Sequence, residues 1–237
     1  MQKAFSEKSG FCLEGIADFD NSLPHRFAGR ETPGPPVENH RRKSMELVDM
    51  EKKALRQFYS ARRSALSEDA RRGFDAAICQ RIASMPLFQS ARFVAAFIRL
   101  GAEPDLSELF YGKRLVLPRF NAACGVYEMV AVEDLKRDLL PGKYGIPEPL
   151  PSLPVMDPGI LASQVLFLVP AVACDRRGGR LGRGGGYYDR LLAGVKTPPV
   201  GVIYSCQLSE TALPGTEHDA PMGWVVTERE VIETAGN

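Results

Sequence analysis

Residues 178–190 read GGRLGRGGGYYDR, directly behind an apolar run (VLFLVPAVACD, residues 165–175) and directly before a helical pattern, YYDRLLAGV. A buried strand, a glycine-rich turn and a helix start make one unit, of the kind that α/β sheets are built from. Gly182, Gly184, Gly185 and Gly186 permit left-handed backbone angles and close approach of the main chain to a ligand. Free backbone N–H groups and the dipole at a helix start both favour an anion, which predicts a phosphate cradle. Arg180 and Arg183 supply charge-assisted, often bidentate contacts to phosphate oxygens. Asp189 stands one short turn inside the helix, where a carboxylate can hold a magnesium ion bridging those phosphates, and Tyr187 and Tyr188 offer flat faces for a ring to stack on.

Two familiar nucleotide signatures are absent: there is no GxxxxGK[ST], and the glycines do not match GxGxxG. Other readings of the same residues stay open. One is a basic surface turn. The other is an RGG-type RNA contact, since Arg177-Gly178-Gly179 and Arg183-Gly184-Gly185 match that triplet, although such segments are usually repeated and disordered.

The rest of the chain sets this unit in a larger sheet. A helical pattern begins at Asp49, with Leu55, Phe58, Tyr59 and Leu66 near one face and basic residues elsewhere. Ser67 is a good N-cap for a second helix with the stripe Phe74, Ile78 and Ile82, which Pro86 ends. Short apolar runs at 93–98, 115–117, 126–132, 165–169, 200–204 and 224–226 read as strands, and 105–111 as a short helix. Helices alternating with apolar strands predict an α/β fold: a single domain with a mixed, mostly parallel sheet covered by helices on both faces. Residues 141–159 are too proline-rich for a helix or a central strand and read as an ordered wall. Residues 28–43 (AGRETPGPPVENHRRK) have the composition of a linker, so residues 1–44 are expected to be a disordered or non-native extension and residues 45–237 the domain.

A net charge of +1 over 237 residues argues against a general nucleic-acid or membrane-surface role. No apolar run approaches the roughly 18 residues of a membrane span. The N-terminus lacks the apolar core of a signal peptide, and its acids argue against a transit peptide. Five scattered cysteines without a CxxC pair read as small core residues of a protein in a reducing compartment. With only His25, His40 and His218 available, a histidine-based triad or multi-histidine metal site is set aside.

The segment GRLGRGGGYYDR resembles the signature of the 5-formyltetrahydrofolate cyclo-ligases, and the resemblance extends over about residues 52–228. Lys52-Lys53-Ala54-Leu55-Arg56 is similar to an N-terminal KxxLR element, and Phe97-Ile98 followed by Glu103 to a short strand and acidic loop. Tyr144-Gly145-Ile146-Pro147-Glu148-Pro149 resembles a GIPEP-type loop, and His218-Asp219 with Val225-Val226-Thr227 a C-terminal element. There are departures. Some members have lysine where this chain has Gly185, and many carry a further acid after the His-Asp pair, where this chain reads Ala220-Pro221-Met222-Gly223.

The resemblance implies a cytoplasmic, monomeric enzyme that takes the small molecule 5-formyltetrahydrofolate, with or without a polyglutamate tail, with ATP as co-substrate and Mg2+ as cofactor. It implies ATP contacts from Lys52, Arg56, Arg180, Gly182, Arg183, Gly184, Gly185, Gly186, Tyr187 and Tyr188, with Arg180, Arg183 and Tyr188 closest to the chemistry. Arg56, Ile98, Glu103 and Tyr144 would meet the folate, and Asp189 and Asp219 would hold the metal. Read without the resemblance, Lys52 and Arg56 are the solvated face of a basic helix and Glu103 a turn acid. The rival class is a nucleotide- or RNA-binding regulatory module on the same fold; it would not need Asp189, Asp219 and Glu103, all of which are present. A ligase acting on another small carboxylate remains a third reading.

Overall fold

Helix α1 (Pro36–Ser64) starts well before Asp49, where the apolar periodicity begins; proline at its first position is pre-set for a helix start. The computed structural model describes residues 36–142, 145–216 and 219–234. The inward face of α1 differs from the expected one. Leu55 and Tyr59 do turn inward, but Phe58 is 53% exposed, and Lys52, Arg56 and Arg63 share the buried stripe instead. The three cations recur at helical spacing on one side, so the face that reads as solvated is the one the fold covers.

Ser67 caps α2 (Glu68–Ser84) by accepting the Ala70 N–H at 3.2 Å, with Glu68 and Asp69 in the first turn and Ile78 and Ile82 fully buried. Pro86 does more than end α2: after an extended Met85 it opens a short α3 (Pro86–Ser90).

All six expected strands lie in one seven-stranded sheet. They are β1 (Phe93–Ala95), β2 (Arg114–Asn121), β3 (Val126–Val132), β6 (Val165–Pro170), β9 (Val200–Val202) and β11 (Trp224–Val226), joined by an unforeseen edge strand, β12 (Val231–Glu233). The order is β12-β11-β9-β6-β1-β2-β3; the five inner strands run parallel and the two edge pairings are antiparallel. Burial on both faces explains why the central strands are uniformly apolar. Leu166 and Leu168 of β6 point to the layer holding α2 and α3. Val165, Phe167 and Val169 point to the layer holding α4 (Pro158–Gln164) and α5 (Tyr187–Leu192). The fold is a single α/β domain with a large, mostly parallel mixed sheet.

Smaller elements were not legible as such. The expected helix at 105–111 is a single 3-10 turn, Ser107–Phe110, whose entry Asp105 caps through its carboxylate. The proline-rich wall folds back as the antiparallel pair β4 (Leu139–Pro141) and β5 (Pro147–Pro149). The apolar run 165–175 breaks after Pro170 and resumes as β7 (Ala173–Asp175), which pairs with β8 (Arg180–Leu181) inside the glycine-arginine segment and with β10 (Leu208–Ser209). Cys79 and Cys174 are core residues whose thiols burial pushes up to about 12, but Cys124 is exposed, against expectation.

The topology fixes where a ligand can sit. From β1 the chain passes to β2 on one side, whereas β6, the other neighbour of β1, leads on to β9 on the opposite side. The strand order therefore reverses between β1 and β6, and in open parallel sheets the crevice beyond the carboxyl ends of such a pair is the binding position.

Candidate active site

Two segments meet at that crevice, the stretch leaving β1 (Phe97 to Glu103) and the glycine-arginine segment that follows β6 and β7. The second is launched by a tight turn at Asp175. Its carboxylate accepts the Arg177 N–H at 2.8 Å and the Gly179 N–H at 2.9 Å through Oδ1, and the Leu213 N–H at 2.8 Å through Oδ2. Gly178 takes φ +92° in this turn, and its carbonyl accepts the Met222 N–H at 2.9 Å.

Beyond β8 the chain has no regular structure until Tyr187. Among the described residues, the N–H groups of Arg183, Gly184, Gly185 and Gly186 donate to no protein acceptor. Gly184 and Gly186 have φ of +99° and +61°, so successive amides are free to converge on one anion. A Cβ on Gly185 would meet nothing within 4 Å, so the loop is open on that side. The cradle differs from expectation in one respect: α5 has only six residues, so its dipole contributes little and the free amides and side-chain cations dominate.

Helix α1 delivers cations to this loop from across the site. Arg56 donates through Nε to the Gly182 carbonyl at 2.8 Å, and its guanidinium lies beside Gly184. Lys52, 8% exposed, donates through Nζ to Asp219 Oδ2 at 2.7 Å. Burial opposes charge on Asp219, but the hydrogen bonds from Lys52 and from the Thr216 N–H outweigh it and hold its carboxyl below the usual range.

Each loop arginine is held by a carboxylate. Arg180 has a buried side chain, donates through Nη2 to Asp189 Oδ1 at 2.7 Å and lies 5.5 Å over the ring of Tyr188. Arg183 donates through Nε and Nη2 to Glu103 Oε1 at 3.1 and 2.6 Å, which ties the segment after β1 to the loop after β6. Glu103 is 5% exposed and takes the Leu100 N–H on its other oxygen, whereas the Arg183 side chain is 52% exposed. Arg183 is thus the exposed half of the pair and Glu103 the buried half.

The aromatic wall is larger than the two tyrosines of the motif. Tyr188 packs on Tyr187 at 4.9 Å between ring centroids, Tyr187 on Tyr127 at 4.7 Å and Tyr127 on Phe120 at 5.2 Å. Burial raises both motif hydroxyls far above ordinary tyrosine, so they serve as neutral donors and stacking surfaces. Ile98 is half-buried and packs on the core two residues before Leu100, whose N–H and carbonyl contact Glu103 and Arg183. Tyr144 and His218 lie outside the described residues. The sequence reading did not single out Arg63, which the fold buries; its spacing on the face shared by Lys52 and Arg56 is the signal that could have found it.

Asp189 and Asp219 belong to one corner, since Asp189 Oδ1 also accepts the Ala220 N–H at 3.4 Å. Each has one oxygen committed to a cation, and among the described residues Asp189 Oδ2 accepts no hydrogen bond. Among the described residues no group of three or more His, Cys, Asp or Glu is placed to hold a metal. Two neighbouring carboxylates nevertheless fit magnesium, which commonly takes one or two carboxylates and completes its shell with water and substrate phosphate.

A family model described as the 5-formyltetrahydrofolate cyclo-ligase family matches residues 48–228. The chain belongs to that family. The Escherichia coli (strain K12) protein named 5-formyltetrahydrofolate cyclo-ligase is 33% identical over 180 residues, covering 73% of this chain and 97% of that one. A solved 5,10-methenyltetrahydrofolate synthetase from Aquifex aeolicus superposes with a TM-score of 0.68 at 34% identity, covering 78% of this chain and 94% of that one. A Mycoplasma pneumoniae synthetase of 22% identity superposes with a TM-score of 0.56 and shares the fold. Membership identifies the chain as an enzyme of the cyclo-ligase family, and the matched span takes in both site segments and the cations of α1. Among the described residues, no helix is long and apolar enough to cross a membrane.

Proposed function

We propose that this cyclo-ligase is a cytoplasmic enzyme that converts 5-formyltetrahydrofolate and ATP into 5,10-methenyltetrahydrofolate, ADP and phosphate, with residues 45–237 as the catalytic unit. The observation that carries the reading is the convergence of four free loop amides with Lys52, Arg56, Arg180 and Arg183 at the β1–β6 crevice, beside a buried carboxylate and an aromatic wall. That arrangement suits one polyanion and one flat heterocycle side by side.

The formyl carbon is amide-like and its oxygen leaves poorly. Phosphoryl transfer from ATP to that oxygen makes it a phosphate leaving group; N10 then attacks the carbon, its proton is lost, phosphate departs and the ring closes. Positioning and charge stabilisation supply most of the rate in such transfers. Gly182 to Gly186 would wrap the phosphates, Lys52 and Arg56 would hold them from α1, and Arg180 and Arg183 would meet charge as it develops on the moving group. Glu103 would accept the donor edge of the pterin, with Ile98 and Tyr144 on its faces and Tyr187 and Tyr188 as stacking surfaces. Asp189 and Asp219 would hold magnesium, which when bound neutralises charge on the nucleotide phosphates.

Incubating the purified protein with 5-formyltetrahydrofolate and Mg-ATP should give the ultraviolet band of the methenyl product; ATP-dependent binding without that band would instead favour the regulatory module. Asp189→Asn should raise the magnesium concentration needed for half-maximal rate by about tenfold. An unchanged magnesium titration would leave Asp189 with the single task of holding Arg180.

A further inference from the structure

The mechanism leaves one buried cation without a task. Arg63 lies on the α1 face that carries Lys52 and Arg56, but it is engaged differently. Lys52 has Asp219 and Arg56 has the Gly182 carbonyl, whereas Arg63 is 7% exposed and its Nε and Nη1 have no hydrogen-bond partner. It makes no ion pair with any described residue. A guanidinium stays charged in a protein, so burying one with free donors opposes folding and calls for a compensating role.

Its surroundings indicate that role. α1 packs on the 3-10 turn Ser205–Gln207, and the charge acting most favourably on Arg63 is Glu103, while Arg183 acts against it. Burial is the larger influence and lowers its basicity. Arg63 and Arg183 thus both feel one carboxylate, with Arg63 not in ion-pair contact with it among the described residues. In this structure Arg183 holds it, bonded twice to Glu103 Oε1.

We propose that Arg63 is a positioning residue that takes over as the cationic partner of Glu103 when Arg183 turns to the transferring phosphoryl group. This rests on the proposed function, in which Arg183 meets that group and Glu103 faces the pterin. Without a second cation, releasing Arg183 would strand a buried carboxylate. With Arg63 behind it, Glu103 keeps its charge and its place against the folate, and the free guanidinium donors acquire an acceptor when the reaction needs them. Arg183 can then move out, because its place is filled from the protein side.

Arg63→Met, Arg63→Lys, Glu103→Gln and the double variant Glu103→Gln with Arg63→Met separate this role from simple packing. Arg63→Met should lower kcat at least about tenfold with KM for ATP within about twofold, a loss confined to the reacting complex. Its Tm should hold or rise, because an apolar side chain of similar volume removes unsatisfied buried donors. Arg63→Lys should recover most of the lost kcat. In the Glu103→Gln background, Arg63→Met should cost less than about twofold more, the non-additivity expected of two groups acting as one. A kcat within twofold of wild type for Arg63→Met, no recovery with lysine, or losses that multiply in the double variant would overturn the proposal. Arg183→Ala measured alongside keeps the two levels apart. If it handles ATP normally the functional reading is at fault, and if it is impaired while Arg63→Met is normal only the role of Arg63 falls.

Discussion

Arg183→Ala is expected to lower kcat by about 10²–10³-fold, the scale of losing one donor from a site that stabilises developing charge. Its effect on Tm should be a few degrees at most. Arg183 is half-exposed, and among the described residues its hydrogen bonds go to Glu103 and the Leu100 carbonyl. An exposed guanidinium is screened by water, which limits what its pairing adds to stability. The same exposure lets the guanidinium leave Glu103 for a phosphoryl group beside the free amides of Gly184 to Gly186. A variant that melts early but turns over normally would make Arg183 a structural tie between the two segments.

Gly178→Ala should have the largest effect on stability of any single methyl added to the loop. Gly178 holds φ +92°, where an L side chain is strained, and an added Cβ would overlap the Met222 carbonyl oxygen and crowd Thr234. Backbone strain of about 1–2 kcal/mol and overpacking of about 1–3 kcal/mol give a combined loss of roughly 2–5 kcal/mol. Relief is limited, because the turn is fixed on the other side by the Asp175 carboxylate, which takes the Arg177 and Gly179 amides. For a domain of this size the loss corresponds to a fall in Tm on the order of 10 °C. Calorimetry of the variant checks it. Gly185→Ala is the control, since its Cβ would enter open space and no positive φ is required there. Equal melting of the two variants would show that the turn at Gly178 yields.

The contrast between these glycines marks what the sequence could carry. Apolar runs bounded by turns were enough to place six strands of the large sheet, because burial on both faces leaves an unbroken signal in residues such as 165–169. The edge strand β12 and the two-residue β8 have no such signature; pairing with neighbours makes them strands. Candidate residues within 178–190 stand out in the sequence because loop, arginines, tyrosines and aspartate are adjacent in the chain. What those residues hold was not legible. The pairs Arg183 with Glu103, Arg180 with Asp189 and Lys52 with Asp219 bring together separate stretches of chain or different rungs of the loop. Arg63 was hidden for a similar reason. Beside Arg62 it reads as part of a basic surface, and only packing of α1 on the turn at Ser205–Gln207 decides which of the two is buried.

The most direct test of the phosphorylation step follows the formyl oxygen itself. Substrate carrying heavy oxygen on the formyl group is turned over with unlabelled ATP, and the released inorganic phosphate is examined by mass spectrometry. Direct transfer between two substrates held at the loop predicts one labelled oxygen in the phosphate for each methenyl product formed. Unlabelled phosphate with normal product formation would contradict it, and would mean that ATP drives a step other than activation of that oxygen.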